Sequence, residues 1–213
     1  YNAFAASRSF RHSLMNNGFD AVNISLDGGR TIPDSIRILI IADPRERMSE
    51  EEVAEIRRYI DRGGNLILAA EPGRQANAND IAGIFGARFL DGRLAVPPGD
   101  SRQDLILADV AKAAFSEMPA LAQMRNHGYK ITMPGSVGIN TDGVSGFDCA
   151  HMLLSARNTW NEFRTTDFAN TVATLDSADG EKEGSRAVAA MLTRSIDGCR
   201  SQKIILLGDA DCF

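Results

Sequence analysis

Residues 36–42 read Ile-Arg-Ile-Leu-Ile-Ile-Ala, and this run restricts the fold more than any other in the chain. A nearly continuous stretch of β-branched and apolar residues suits a strand covered on both faces, as a central strand of a parallel sheet is. Asp43-Pro44 ends it, because proline offers no N–H to a ladder. A helix is then predicted over residues 50–61. Ser49 is its N-cap, with Glu52 three residues on to complete a capping box. Met48 and Val53 flank the cap as a hydrophobic staple, and Glu50 and Glu51 complement the positive helix end. Val53, Ile56 and Ile60 recur at helical spacing, and Gly63-Gly64 supplies the exit. Residues 65–70 (Asn-Leu-Ile-Leu-Ala-Ala) read as the next strand. Strand, helix, strand over about 35 residues is a βαβ unit, with parallel strands and a right-handed crossover. Residues 203–207 (Lys-Ile-Ile-Leu-Leu) predict a third buried strand of the same sheet.

The remaining pattern is less regular. Residues 3–17 predict a helix, with Phe4, Ala6, Phe10 and Leu14 on one side and Gly18 as its stop. Val22, Ile24 and Leu26 alternate, which suits a half-buried strand over residues 20–26. A short helix is expected at 80–85. Short strands are expected near 87–90, 104–107, 130–133 and 137–139, within an irregular β-rich insertion near 90–145 at one sheet edge. Residues 151–155 read as a strand and 176–184 as a polar loop. Residues 185–194 read as a helix that turns Val188, Ala189, Met191 and Leu192 inward. The expected architecture is a single α/β domain over 1–213, a mostly parallel sheet with helices on both faces.

Composition excludes some functions. The formal charge is −5 with no long basic run, so nucleic acid, whose binding depends on neutralising phosphates, is not an expected partner. Cys149, Cys199 and Cys212 have no metal-type spacing and do not make a disulfide framework. No apolar run reaches the roughly 18–20 residues of a membrane span. The chain begins at Tyr1 and stops at Phe213 just after a strand, so both ends read as cuts in a longer protein.

No phosphate-cradling GxxxxGK[ST], dinucleotide GxGxxG, HExxH or GxSxG motif is present, and no cofactor or metal is assigned. Where a nucleophile elbow would follow the second strand, the chain reads Glu71-Pro72-Gly73-Arg74. The strand ends are acidic: Asp43-Pro44, Glu71-Pro72 and Gly208-Asp209, with Asp211 beyond. Ligands of open α/β sheets bind outside the carboxyl ends of strands. Asp43, Glu71, Arg74, Asp209 and Asp211 are therefore the candidate binding rim. The same carboxylates equally suit helix caps, tight turns or a divalent cation. Cys149 and His151, two apart on a strand, carry the alternative reading of a hydrolase nucleophile and base. His12 and His127 read as ordinary helix and loop histidines. Trp160, the single tryptophan, lies among polar residues and is a candidate partner contact, with core packing as the alternative.

Residues 36–44, the capped helix, Gly63-Gly64-Asn65-Leu66 and Glu71-Pro72-Gly73-Arg74 together resemble the opening of the ABC-type transport system auxiliary domain of gliding-motility (GldG-like) systems. Leu153-Leu154, Trp160-Asn161-Glu162, the Gly180–Gly184 loop and residues 202–213 extend the resemblance. It implies a flavodoxin-like sheet similar to class I glutamine amidotransferases, without their catalytic pair. It further implies an extracytoplasmic, periplasmic domain of a longer membrane-anchored protein, non-enzymatic, with permease and ATPase subunits as partners. The alternative of a divergent amidotransferase-like hydrolase through Cys149 and His151 stays open at this point.

Overall fold

The computed structural model describes residues 15–112 and 118–211. In chain order the elements are β1 (Ile38–Ala42), α1 (Glu50–Asp61), β2 (Asn65–Ala69), α2 (Gln75–Ala82), β3 (Arg88–Phe89), β4 (Arg93–Ala95), β5 (Leu105–Val110), α3 (Pro119–Asn126), β6 (Ile131–Pro134), β7 (Ile139–Asn140), β8 (Asp148–Leu154), β9 (Trp160–Glu162), β10 (Ala187–Ile196) and β11 (Arg200–Leu207). The helix expected at 3–17 lies outside the described residues apart from a 3-10 turn at Met15–Asn17. Cys212 lies outside them too.

β1, β2 and β11 are adjacent and parallel, with Ile40, Ile67 and Ile205 in one row. From β11 the sheet continues through β10, β8, β5 and β6, each pair antiparallel. β7 branches from β10 and carries β3, while β4 and β9 form a separate two-stranded ribbon. The sheet is thus mixed rather than mostly parallel. Parallel pairing needs a crossover, and the β10–β11 connection has only Asp197-Gly198-Cys199.

That hairpin corrects the helix expected at 185–194. Ala187–Leu192 are buried, covered on both faces in mid-sheet, and an alanine-rich run so placed has no amphipathic stripe to show. Asp197 and Gly198 both hold left-handed backbone, φ 49° and 74°, as a tight hairpin requires. Two further expectations also fail. Residues 20–26 form no strand, and Val22 is 64% exposed. β1 is the outer strand among the described elements, with Ile38 and Ile40 41% and 43% exposed, not a central strand covered on both faces.

The capped helix forms as its pattern requires. Glu52 N–H donates to Ser49 Oγ at 3.2 Å, and Ser49 N–H donates to Glu52 Oε2 at 2.7 Å. Its Ile56, Tyr59 and Ile60 pack on the sheet with α2 residues Ala78, Ile81 and Ala82, over Leu66, Leu68, Ile204 and Leu206. Odd-numbered neighbours Ile205, Leu207 and Met191 point to the opposite face, where Leu121 and Met124 of α3 join a second cluster with Ile106 and Met133. The carboxyl end of α1 is tied to the hairpin. Gln202 Nε2 donates to the carbonyls of Ile60 and Gly64, and Arg194 also donates to Ile60 O.

Gly208, just after β11, is wedged against a neighbouring backbone. A Cβ there would stand 2.1 Å from Val137 O, whereas one on Gly83 would meet open space. Gly208→Ala is expected to lower stability by at least about 2 kcal/mol through forced backbone movement. Gly83→Ala, where φ is an ordinary −60°, should stabilise by roughly 0.5 kcal/mol. Urea denaturation of both variants measures the contrast.

Candidate functional site

The three parallel strands deliver their following residues to one rim. Asp43 N–H donates to Ala69 O, Ala70 N–H donates to Leu207 O, and Gly208 N–H donates to Val188 O, so the ladders run on to the last residues of the strands. Asp43, Glu71 and Asp209 leave from these points. The rim expected from the strand ends is therefore assembled from all five candidates, in two linked groups.

The first group is Asp43 with Arg74. The Arg74 guanidinium meets the Asp43 carboxylate with two parallel bonds, 2.5 and 2.6 Å. Two planar charge-assisted bonds define direction as well as distance. They hold Asp43 in a left-handed conformation, φ 48°, which L residues other than glycine seldom adopt. Two more side chains at intervals of three grip the same loop. Asn77 Nδ2 donates to Pro44 O at 2.8 Å, and Asp80 pairs with Arg47 at 2.8 Å. Asn77 and Asp80 were not singled out from the sequence. Their signal is the spacing 74, 77, 80, one face of α2.

The second group is Glu71, Asp209 and Asp211. One carboxylate oxygen of each lies within 4.8 Å of the others. Ala210 N–H donates to Glu71 Oε1 and Asp211 N–H donates to Asp209 Oδ1, both at 2.8 Å. Asp209 is 0% exposed and Asp211 is exposed. Burial, together with the charges of Glu71 and Asp211, pushes the Asp209 carboxyl up to about 6, against the pull of the Asp211 N–H. Burial raises Glu71 as well. Asp211 and Asp43 add to that rise, and the Ala210 N–H and Arg74 oppose it. Among the described residues this trio alone has the compactness to share a cation. Carboxyl clusters of this kind are common without one. Glu71 and Asp209 already accept backbone N–H bonds, so the trio is part of the protein's own turns.

Trp160 is corrected. It is 3% exposed and packs with Ala95, Phe168 and Ala173, so it offers no surface for a partner. Its polar neighbours misled because they are buried too. Glu162, also buried, accepts from the indole N–H and from the N–H groups of Arg164 and Thr165. Glu181 does the same for Phe163 and Asp176. These two carboxylates organise the loop between β9 and β10.

Cys149 and His151 are separated from β11 by the intervening strand β10, with His151 in the row of Ala190 and Leu206. They lie on β8, two strands from β11, and Cys149 pairs with Leu192, which pairs with Ile204 near the middle of β11. Cys149 is exposed, and His151 Nε2 lies 3.0 Å from Thr141 Oγ1. The ring nitrogen is thus engaged by a hydroxyl.

Residues 3–95 match the family model of an ABC-type uncharacterized transport system, which supports an ABC transport auxiliary domain. The match spans β1 to β4 and includes Asp43, Glu71 and Arg74. Asp209 and Asp211 lie beyond it. No curated protein matches the chain. Among solved structures, the mmIFT52 N-terminal domain superposes with a TM-score of 0.61 at 14% identity, covering 99% of this chain and 85% of that one. A likeness at that identity shows a shared fold and nothing further.

The raised Asp209 carboxyl has a definite consequence for stability. Its folded value of about 6 exceeds an unfolded value near 3.9, so the folded state holds more protons between those limits. The stability it contributes is complete below about pH 4 and is lost as pH rises through about 6. Asp209→Asn is expected to raise the melting temperature at pH 7.5, with the difference from the unaltered chain closing toward pH 4. Thermal unfolding across pH 4–8 measures it.

Proposed function

We propose that this chain is a non-catalytic, extracytoplasmic binding domain of an ABC transport system's auxiliary component. Its rim engages a partner subunit, the permease or the ATPase-bearing assembly behind it, and regions outside this chain anchor the parent protein to the membrane. The family match over residues 3–95 supports the transport context. The observation that carries the binding role is the convergence of Asp43, Glu71, Arg74, Asp209 and Asp211 at the carboxyl ends of three adjacent parallel strands.

The chemistry of that rim favours recognition over catalysis. The rim holds four carboxyl groups and one guanidinium, and that guanidinium is bound to Asp43. The residue after β2 that would be a nucleophile in a catalytic relative is Glu71, already accepting the Ala210 amide. A net negative rim suits a basic surface on the partner, with Asp211 as the exposed contact and steering that weakens with salt. Such an encounter needs no cofactor.

Charge reversal at the exposed position tests this reading. Asp211→Lys is expected to weaken capture of the permease and ATPase subunits by the full-length parent at least tenfold at low salt. Circular dichroism should stay unchanged. Undiminished capture by the folded variant overturns the proposal.

A further inference from the structure

We infer that Glu71, Asp209 and Asp211 form a proton-held latch: a proton kept among the three carboxyl groups keeps the turn after β11 docked on the turn after β2, and its loss loosens the rim. The inference concerns the protein's own turns and stands apart from the identity of any partner.

The geometry has three parts. Ala210 N–H donates to Glu71 Oε1 at 2.8 Å and so joins the turn after β11 to the turn after β2. Its own conformation is braced by Asp211 N–H to Asp209 Oδ1. The carboxyl groups that accept these bonds lie within 4.8 Å of each other and of Asp211, with Asp209 fully buried. Three ionised carboxylates so placed repel one another, and burial disfavours the charge on Asp209 further. A proton on one member turns repulsion into a shared arrangement, as in paired carboxyl sites generally.

Among the described residues, the charged groups bearing on Asp209 are Glu71 and Asp211, from the turns after β2 and β11. Those bearing on Glu71 are Asp211, Asp43 from the loop after β1, and Arg74 at the start of α2. The loop before β7 contributes neutral groups, Ser136 and Val137, packed against Gly208. Of these three neighbours outside the pair, two, Asp211 and Asp43, are carboxylates. Arg74 opposes them while bonded to Asp43.

Local opening exposes Asp209 to water, where its carboxyl returns to the ordinary range. Linkage then makes opening about tenfold more frequent at pH 7.5 than at pH 5, because the closed state alone holds the proton up to about 6.

Native-state amide exchange read by NMR tests the latch on the folded protein. The protection factors of the Ala210 and Asp211 amides, corrected for intrinsic exchange, should fall about tenfold from pH 5 to pH 7.5. In Asp209→Asn the fall over that range should be much smaller, because Asp209 no longer holds a proton. Protection that is independent of pH in the unaltered chain overturns the inference, and so does an undiminished fall in Asp209→Asn. Should that variant not fold, Glu71→Gln serves instead. Removing a negative neighbour lowers the pH at which Asp209 ionises, so the fall should shrink and move to lower pH. A fall of unchanged size and position in Glu71→Gln also overturns it.

Discussion

The parallel pairing of β11 with β2 is the contact on which the rest of the molecule depends. Leu207 sits beside Ala69, so Gly208 and Asp209 emerge next to Glu71. A slip of one residue would turn Ile204 and Leu206 away from α1 and α2 and remove Asp209 from the rim. Register is guarded from both sides. Gln202 and Arg194 reach the carboxyl end of α1, and the Asp197-Gly198 hairpin locks β10 onto β11. At the far end Gly208 admits the Val137 backbone so closely that no side chain fits.

This pairing also explains why the rim is acidic and yet ordered. Two of the carboxylates leaving a strand are bound to a neighbouring segment, and the third closes its own turn. Asp43 meets Arg74, Glu71 takes the Ala210 amide, and Asp209 takes the Asp211 amide. The strand ends are therefore connected to one another by side chains as well as by the ladder. Asp43, Glu71 and Asp211 also share an electrostatic environment.

Much of this was legible in residue order. Ser49 and Glu52 announced α1, and the acidic residues after residues 42, 70 and 208 marked where Asp43, Glu71 and Asp209 leave their strands. Such signals are local, and local chemistry survives into the fold. What was not legible depended on long-range neighbours. Ala187–Leu192 look helical in isolation, and only the strands on either side make them a central strand. Val22, Ile24 and Leu26 alternate, yet among the described residues no strand pairs with them. Trp160 sits among polar residues that turn out to be buried and hydrogen-bonded to backbone. Asp-Gly at 197–198 was a hairpin signal open to reading, and it pointed against the helix before it.

The most direct test is a double-mutant cycle between Glu71 and Asp209. Stability of the unaltered chain, Glu71→Gln, Asp209→Asn and the double variant would be measured in urea at pH 7.5 and pH 4. At pH 7.5 relieving one charge should remove the repulsion the other variant would have relieved, leaving a coupling of about 1 kcal/mol or more that shrinks at pH 4. Effects that add to within about 0.5 kcal/mol at both pH values would mean that the two carboxyl groups do not meet at the rim.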